Sequence, residues 1–149
     1  KSDVIPPQYI ADDAEIERSI IGEGTEVYGK VINSVIGSGV TIEKGAVVRD
    51  SIVMQGTHIG AGTVVDKAII AENVTIGANA EVGFGDYAPS TYDPKVYQFE
   101  LATIGENSVI PDGVKIGRNT AIAGETAIDD YPDGILAGGN YIIKAGGVK

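Results

Sequence analysis

Aliphatic residues recur along this chain at steps of six, with an occasional step of five, and in the middle of the chain two steps of six and one of five close each coil. The series begins at Ile21 and Val27, and it continues as Ile36, Ile42, Val48, Val53, Ile59, Val65, Ile70, Ile76, Val82, Ile104, Ile110, Ile116, Ile122 and Ile128. Residues six apart rotate by about 240° around an α-helix and form no single apolar stripe. Three short strands per coil, each with one inward aliphatic, instead predict a triangular prism of stacked coils.

Glycine or asparagine usually stands three residues after each aliphatic. These two residues adopt a left-handed backbone, with φ above zero, at the lowest cost. Each is therefore predicted to form a corner of the prism. The predicted corners are Gly24, Gly39, Gly45, Gly56, Gly62, Asn73, Asn79, Asn107, Gly113 and Asn119.

The coil length also predicts which charged residues meet across neighbouring coils. A step of one coil places Arg49 beside Asp66, and Asp50 beside Lys67. Both are opposite-charge pairs on a sheet face, where such pairs contribute at most about 1 kcal/mol each. We expect them to fix the register of the coils more than their stability.

Breaks in the period divide the chain. Residues 1–20 are predicted as a linker into the coils and an N-terminal cap, residues 21–128 as a β-helix of about six coils, and residues 129–149 as an irregular last coil and C-terminal cap. Within the last segment Leu136, Ile142 and Val148 recover the six-residue step. The long insertion at 83–103 holds five of the nine aromatic residues: Phe84, Tyr87, Tyr92, Tyr97 and Phe99. It is interpreted as an ordered excursion packed on the prism, as a contact with another domain or subunit, or as both.

Composition agrees with an almost all-β fold and excludes several kinds of site. Ile and Val number 37 against two Leu, and β-branched residues favour strands. Without cysteine and with one histidine, neither a disulfide framework nor a thiolate or histidine-rich metal site is expected. A net charge of −10 argues against nucleic-acid and anionic-membrane partners. No apolar run approaches the length of a membrane span and no signal peptide is visible, so a cytoplasmic location is expected.

The sequence offers few candidates for catalysis. His58, the one imidazole, directly precedes inward Ile59, so it should point outward between Thr41 and Thr75, and we interpret it as a surface residue. The glycine-rich stretches 37–39 and 60–62 are followed by no helix and no Gly-Lys-Ser/Thr, so they are corners rather than phosphate loops. No catalytic, cofactor-binding or metal-binding residue is predicted, and no effector-binding residue is assigned.

Residues 19–77, from SIIGEGTEVYG to AENVTIG, closely resemble the C-terminal domain of glucose-1-phosphate adenylyltransferase (ADP-glucose pyrophosphorylase). Three further features carry the resemblance: Pro6-Pro7 ahead of the first coil, the phrases NSVIGSGVTI, RDSIVM and DKAIIAEN, and the insertion followed by Val109-Ile110-Pro111-Asp112-Gly113. Together they cover nearly the whole chain. The resemblance also supplies the left hand of the β-helix, because strand crossovers are otherwise normally right-handed.

This resemblance implies a function outside the chain itself. The parent enzyme forms ADP-glucose and pyrophosphate from ATP and glucose 1-phosphate, with Mg²⁺, for glycogen or starch synthesis. Catalysis belongs to an N-terminal domain, whereas the β-helix contributes to a homo-oligomer, expected to be a tetramer, and to control by sugar-phosphate or other anion effectors. The fragment alone is therefore expected to be inactive, with the parent's N-terminal catalytic domain as its partner.

Some features and alternatives qualify this interpretation. Plant-type enzymes carry an activator-binding lysine where Glu106 aligns, so plant-type activation at that position is not expected. A catalytically inactive regulatory paralogue has the same β-helix. A hexapeptide acyltransferase using a CoA thioester is the alternative enzyme, and a module that only oligomerises is the alternative structural role.

Overall fold

The computed structural model describes residues 4–93, 95 and 100–144. These residues form short parallel strands of two to four residues and two 3₁₀ turns. The strands are β1 Tyr9–Ile10, β2 Glu15–Glu17, β3 Ile20–Ile21, β4 Glu26–Val27, β5 Lys30–Ile32, β6 Val35–Ile36, β7 Thr41–Ile42, β8 Val47–Arg49, β9 Ile52–Val53, β10 His58–Ile59, β11 Val64–Asp66, β12 Ala68–Ile70, β13 Thr75–Ile76, β14 Glu81–Phe84, β15 Ala102–Ile104, β16 Val109–Ile110, β17 Lys115–Gly117, β18 Ala121–Ala123, β19 Ile135–Leu136 and β20 Tyr141–Ile143. The 3₁₀ turns are Ile128–Asp130 and Pro132–Gly134.

The strands build three sheets, which are the three walls of a prism. Sheet 1 has the order β1-β4-β7-β10-β13-β16, sheet 2 the order β2-β5-β8-β11-β14-β17-β19, and sheet 3 the order β3-β6-β9-β12-β15-β18-β20. The chain therefore visits sheets 1, 2 and 3 in turn and adds one strand to each per coil. This arrangement confirms the predicted left-handed parallel β-helix of hexapeptide repeats.

The register between coils follows the predicted spacing in the middle of the stack. Ile59 pairs with Ile42 below it and with Ile76 above it, a step of one predicted coil in each direction. Across the insertion Ile70 pairs with Ile104, a step twice as long, so the insertion adds the length of one whole coil. The insertion is shorter than predicted, since β14 continues to Phe84 and β15 begins at Ala102.

The inward aliphatics form one continuous core. The buried members of the predicted series, each at most 2% exposed, are Val27, Ile36, Ile42, Val48, Val53, Ile59, Val65, Ile70, Ile76, Val82, Ile104, Ile110, Ile116 and Ile122. The prediction was wrong for Ile128, which is 54% exposed in a 3₁₀ turn. The corner after Ile122 is short, so Thr126 takes the inward place, and buried Tyr131 packs there with its hydroxyl 2.9 Å from Thr126 Oγ1.

All ten predicted corner residues have a left-handed backbone, with φ between 56° and 78°. The buried residue after several of these corners joins two coils through its hydroxyl. Thr63 Oγ1 donates to Gly77 O at 2.6 Å and accepts from Ala80 N–H at 3.1 Å. Backbone groups that the bend leaves unpaired are satisfied in this way.

The corner between sheets 2 and 3 was predicted only at Asn119. In the lower coils it was not predicted, and there its left-handed residues are Arg18, Asn33, Asp50 and Lys67, with φ between 46° and 53°. The five-residue step marks this corner in the sequence, but its residues are not glycine and so gave no compositional signal. The serine that follows the corner satisfies a backbone N–H group of the next coil. Ser51 N–H donates to Ser34 Oγ at 3.1 Å, and Ala68 N–H donates to Ser51 Oγ at 3.1 Å.

Both predicted caps contain strands of the stack. Strands β1 and β2 lie within residues 1–20, and β19 and β20 lie within residues 129–149. Two of the sheets consequently have seven strands, more than the predicted six coils. The prolines and 3₁₀ turns change the spacing of the aliphatic residues near both ends but do not end the pairing of strands. The sequence pattern therefore did not reveal these end coils. Val148 lies outside the described residues.

One of the two predicted cross-coil charge pairs forms. Arg49 Nε lies 3.5 Å from Asp66 Oδ1, as predicted. Asp50 and Lys67, although both lie in the described part of the chain, form no ion pair with each other. The Asp50 carboxylate turns to the coil below instead, where its Oδ1 accepts a hydrogen bond from Asn33 Nδ2 at 2.7 Å.

Candidate functional site

His58 lies on the outer side of sheet 1, as its position before Ile59 predicts. It pairs with Thr41 and Thr75 in the neighbouring strands, and its Nε2 lies 3.1 Å from Glu43 Oε2. The side chain is 44% exposed. The insertion leaves the prism from sheet 2 and returns to sheet 3, so no loop of the described residues encloses a substrate beside His58. This geometry suits a surface histidine and gives no support to a CoA-dependent acyl transfer.

The described part of the insertion is tied to the corner between sheets 2 and 3. Thr91 donates to Gly139 O from its N–H at 2.7 Å and from its hydroxyl at 3.1 Å. Asn119 Nδ2 donates to Ala88 O at 3.0 Å, and the rings of Tyr92 and Tyr141 lie 4.7 Å apart. These contacts agree with the interpretation of an ordered excursion packed on the prism. Tyr97 and Phe99 lie outside the described residues.

A charged cleft of about 270 Å³ lies at the foot of the insertion. Its centre is Asp66, which lies 3.5 Å from Arg49 Nε and 3.9 Å from Arg118 Nη2. Arg118 Nη1 also contacts Glu100 Oε1 at 3.2 Å, which joins the insertion to the prism. Arg118 reaches Asp66 from a higher coil because Gly83, which lies between them, has no side chain and forms a β-bulge.

Charges at this cleft are balanced. Lys115 Nζ lies 3.9 Å from Glu81 Oε1 and 6.0 Å from the centre of the Phe84 ring. The three basic side chains, Arg49, Arg118 and Lys115, are therefore matched by Asp66, Glu81 and Glu100. The ion pairs of this cleft would have to rearrange before an anion could replace its carboxylates, and Arg118 Nε is buried without a hydrogen-bond partner. Sequence reasoning found Arg49 and Asp66 by register but missed Arg118, because the bulge at Gly83 shifts that register.

Glu106 occupies an exposed corner after β15. It follows Ile104 by two residues as Glu72 follows Ile70, so the two acids lie in neighbouring coils, and Asn107 N–H donates to Glu72 O at 3.0 Å. A pair of carboxylates repels a phosphate. The expectation that plant-type activation does not operate at this position stays a prediction.

A second cleft, of about 360 Å³, lies where the first coils meet and is lined partly by Asp13, Glu15, Tyr28 and Lys30. Tyr28 donates a hydrogen bond to Glu26 Oε1 at 2.6 Å, and this bond is the main cause that raises the pKa of Tyr28 to about 12. The phenol consequently stays protonated at neutral pH and acts as a donor rather than a base.

Within residues 4–93, 95 and 100–144 no group of three or more histidine and acidic side chains is placed to hold a metal ion. In that same part of the chain no helix is long and apolar enough to cross a membrane.

The profile of the GlmU-like, C-terminal hexapeptide family matches residues 6–100, more than half of the chain. The chain belongs to this hexapeptide family. The match covers the strands from β1 to β14 and nearly the whole insertion.

Named relatives of this hexapeptide chain are adenylyltransferases. Glucose-1-phosphate adenylyltransferase of Lachnospira eligens is 67% identical over 98% of the chain, and that of Thermotoga sp. (strain RQ2) is 55% identical over 93% of the chain. The chain spans only 34% and 33% of the length of these two relatives. The matching part is their C-terminal third, which agrees with a C-terminal domain of a larger protein.

Solved structures similar to the hexapeptide chain include Arabidopsis UDP-N-acetylglucosamine acyltransferase. The two chains are 17% identical, with a TM-score of 0.38, over 93% of this chain and 56% of the other. A likeness at this level does not bear on function.

Proposed function

We propose that this chain is the C-terminal assembly and regulatory domain of a glucose-1-phosphate adenylyltransferase. The parent enzyme transfers the adenylyl group of ATP to glucose 1-phosphate and releases pyrophosphate in the cytoplasm, with Mg²⁺ accompanying ATP. The single observation that carries the proposal is the 67% identity over 98% of this chain to the C-terminal third of such an enzyme.

In this proposal the chain has no chemistry of its own. A nucleotidyl transfer needs a site that binds a triphosphate and its metal ion, and the resemblance assigns that site to the parent's N-terminal domain. His58 stands on an open sheet with Glu43 as its partner. Catalysis in this proposal therefore belongs to the parent's N-terminal domain, which is the first partner of this chain.

Regulation in this proposal requires both domains. The arginines that could attract a sugar phosphate already pair with Asp66 and Glu100. An anion effector would gain little by displacing those carboxylates without further cations from an adjoining domain. We therefore expect inorganic phosphate or a hexose bisphosphate to bind the parent enzyme more tightly than this chain alone.

The test compares the full-length product of the gene that encodes this chain with the 149-residue chain alone. Both are incubated with ATP, glucose 1-phosphate and Mg²⁺, and ADP-glucose and pyrophosphate are measured. We expect turnover only with the full-length protein. A folded full-length protein that forms no ADP-glucose would identify a catalytically inactive regulatory paralogue and contradict the proposal.

A control addresses the alternative chemistry. The 149-residue chain is incubated with acetyl-CoA and amino-sugar acceptors, and free thiol is measured. We expect none to be released. Thiol release that disappears in His58→Ala would replace the proposal with an acyltransferase.

A further inference from the structure

Two arginines share one largely buried carboxylate in the charged cleft at the foot of the insertion. Asp66, whose side chain is 16% exposed, lies 3.5 Å from Arg49 Nε and 3.9 Å from Arg118 Nη2. A good N–H···O hydrogen bond measures about 2.7–3.2 Å, so neither contact uses a guanidinium donor fully. These three side chains together carry one positive charge in excess.

Arg118 also has a donor that no acceptor of the described residues satisfies. Its Nη1 donates to Glu100 Oε1 at 3.2 Å, whereas its Nε is buried without a hydrogen-bond partner. Leaving a buried donor of a charged group unpaired is unfavourable. An acceptor with several oxygens that let this guanidinium turn would therefore be favoured over the single contact that Glu100 makes.

Glu100 is the carboxylate of the cleft that is displaced most easily. Its side chain is 45% exposed, so its charge is close to water even while it contacts Arg118. Its backbone has φ of +63°, in the left-handed region that is unfavourable for a residue with a side chain. Glu100 also lies in the insertion and not in the repeat, so no core position depends on its side chain.

The size and wall of the cleft suit a small oxyanion. Its volume of about 270 Å³ is just below the range of about 300–1,000 Å³ that is typical of sites for whole small molecules. Gly83 and Gly85 form part of the wall, and a Cβ atom added at Gly85 would meet nothing within 4 Å. A ligand can approach a glycine backbone closely. Two guanidinium groups beside such a wall match a phosphate group, whose oxygens accept hydrogen bonds from more than one arginine.

We propose that this cleft binds a phosphate group, which takes the place of Glu100 on Arg118. Arg49 and Arg118 bind the phosphate oxygens, while Asp66 stays between the two guanidinium groups and holds them in position. Only the exposed carboxylate is displaced, so the cost is smaller than that of displacing both. Glu100 is thus an internal competitor, and it keeps the affinity of the chain alone low.

This inference deepens the regulatory role in the proposed function, and the choice of a sugar phosphate as a probe rests on that function. It is tested by binding to the 149-residue chain, without ATP and without any measurement of turnover. A chain that binds no phosphate leaves the synthesis of ADP-glucose by the full-length protein untouched. The two failures are therefore distinguishable.

The test is a titration of the isotope-labelled chain with inorganic phosphate at pH 7, followed by the NMR signals of the backbone amides. Chloride at equal ionic strength is the reference, because salt alone screens ion pairs. We expect saturable shifts with phosphate at Gly83, Gly85 and Glu100. The amide of Thr75, on sheet 1, should show none. Saturable shifts confined to chloride-sensitive signals, or absent from the cleft in both the wild type and Glu100→Gln, overturn the proposal.

A second titration distinguishes the two sources of a phosphate group. Glucose 1-phosphate is added in the same way, and the same amide signals are followed. A Kd equal to or higher than that of inorganic phosphate assigns the cleft to the phosphate group alone. A lower Kd assigns it to a phosphorylated sugar.

Removing the competitor should tighten binding. Glu100→Gln keeps the size of the side chain but removes its charge, and loss of one exposed ion pair should lower the Kd for phosphate by about threefold to fivefold. Glu125→Gln, at an exposed position outside the cleft, removes the same charge and is the matched control. If Glu100→Gln binds phosphate no more tightly than Glu125→Gln, the proposal is wrong.

Removing a guanidinium should abolish binding. Arg118→Gln, added to Glu100→Gln, should raise the Kd by at least about tenfold, because it removes charge-assisted hydrogen bonds to the phosphate. Arg18→Gln, at an exposed corner of the first coil, is the matched control and should leave the Kd unchanged. Arg49 is 44% exposed, so Arg49→Gln serves if circular dichroism shows that the Arg118 variant does not fold. Phosphate binding that survives the loss of the arginine overturns the proposal.

Discussion

Replacing Gly62 with valine tests the corner that defines the repeat. Gly62 has φ of +71°, and a Cβ atom there would contact Asn79 Oδ1 of the next coil. An L-residue in the left-handed region costs about 1–3 kcal/mol, and a β-branched residue lies at the upper end. Replacing a glycine also lowers the conformational entropy of the unfolded chain, which stabilises the folded state by about 0.4–1 kcal/mol. Because the Asn79 side chain is exposed and can turn away, the contact adds little, and the net destabilisation expected is about 2 kcal/mol.

Two further variants separate the backbone from the contact. Gly113 has φ of +73°, and a Cβ atom added there would meet nothing within 4 Å, so Gly113→Val reports the backbone cost alone. Gly62→Asn should cost less than Gly62→Val, because Asn73 and Asn79 already occupy equivalent corners with φ of 56°. For a chain of this size the valine variants should lower Tm by about 2–8 °C, measured by calorimetry or circular dichroism. Gly62→Val within about 0.5 kcal/mol of the wild type, or an asparagine variant as unstable as the valine variant, would refute the assignment of this corner.

Three other substitutions test the core, the hydroxyl bridges and the last coil. Ile59→Ala should destabilise the chain by about 2–5 kcal/mol in urea unfolding, because Ile59 is fully buried, whereas Ile128→Ala, at a position 54% exposed, should have little effect. Thr63→Val keeps the shape of the side chain but leaves Gly77 O and Ala80 N–H without their partner, so a loss of about 1–3 kcal/mol is expected, and a neutral result would contradict the bridging role. The hydrogen bond from Ala127 N–H, followed by Lys144, lowers the pKa of Asp130 below its usual 3.8, so its stabilising effect is present above that pH and is lost as pH falls through the folded pKa. Asp130→Asn should therefore melt below the wild type at pH 7 and approach it in acid, and a gap in Tm that stays constant with pH would be contrary evidence.

The sequence predicts those parts of the fold in which one residue type has one physical role. Inward aliphatics and the Gly or Asn corners are of this kind, because a core position excludes charge and a left-handed corner favours two residue types. The corner holding Arg18, Asn33, Asp50 and Lys67 escapes detection because its backbone is stabilised from outside, by serine hydroxyls and by hydrogen bonds between coils. The prediction that Ile128 points inward is wrong because a short corner places Thr126 in that inward position instead.

The candidate site is harder to predict than the fold, because its residues meet only after the register departs from the repeat. Arg118 reaches Asp66 across Gly83, and Glu100 joins them from the end of the insertion. Neither contact follows from a constant coil length. The resemblance to an adenylyltransferase was predictable for a different reason, since it rests on particular phrases of sequence and not on the geometry of any site.

In a prism built from such a repeat, the inward side chains determine stability, whereas the outward side chains are available for function. The inward column must stay aliphatic in every coil, and the corners must accept a left-handed backbone, so those positions carry little information about partners. The outward columns are free to differ, and they do differ: sheet 2 carries ion pairs such as Lys115 with Glu81, whereas sheet 3 carries Ile20, Val35 and Ile52 in solvent. Exposed aliphatics stacked over several coils would be a hazard for aggregation if nothing covered them. The repeat itself therefore does not explain why the outward side chains of sheet 3 are aliphatic rather than charged.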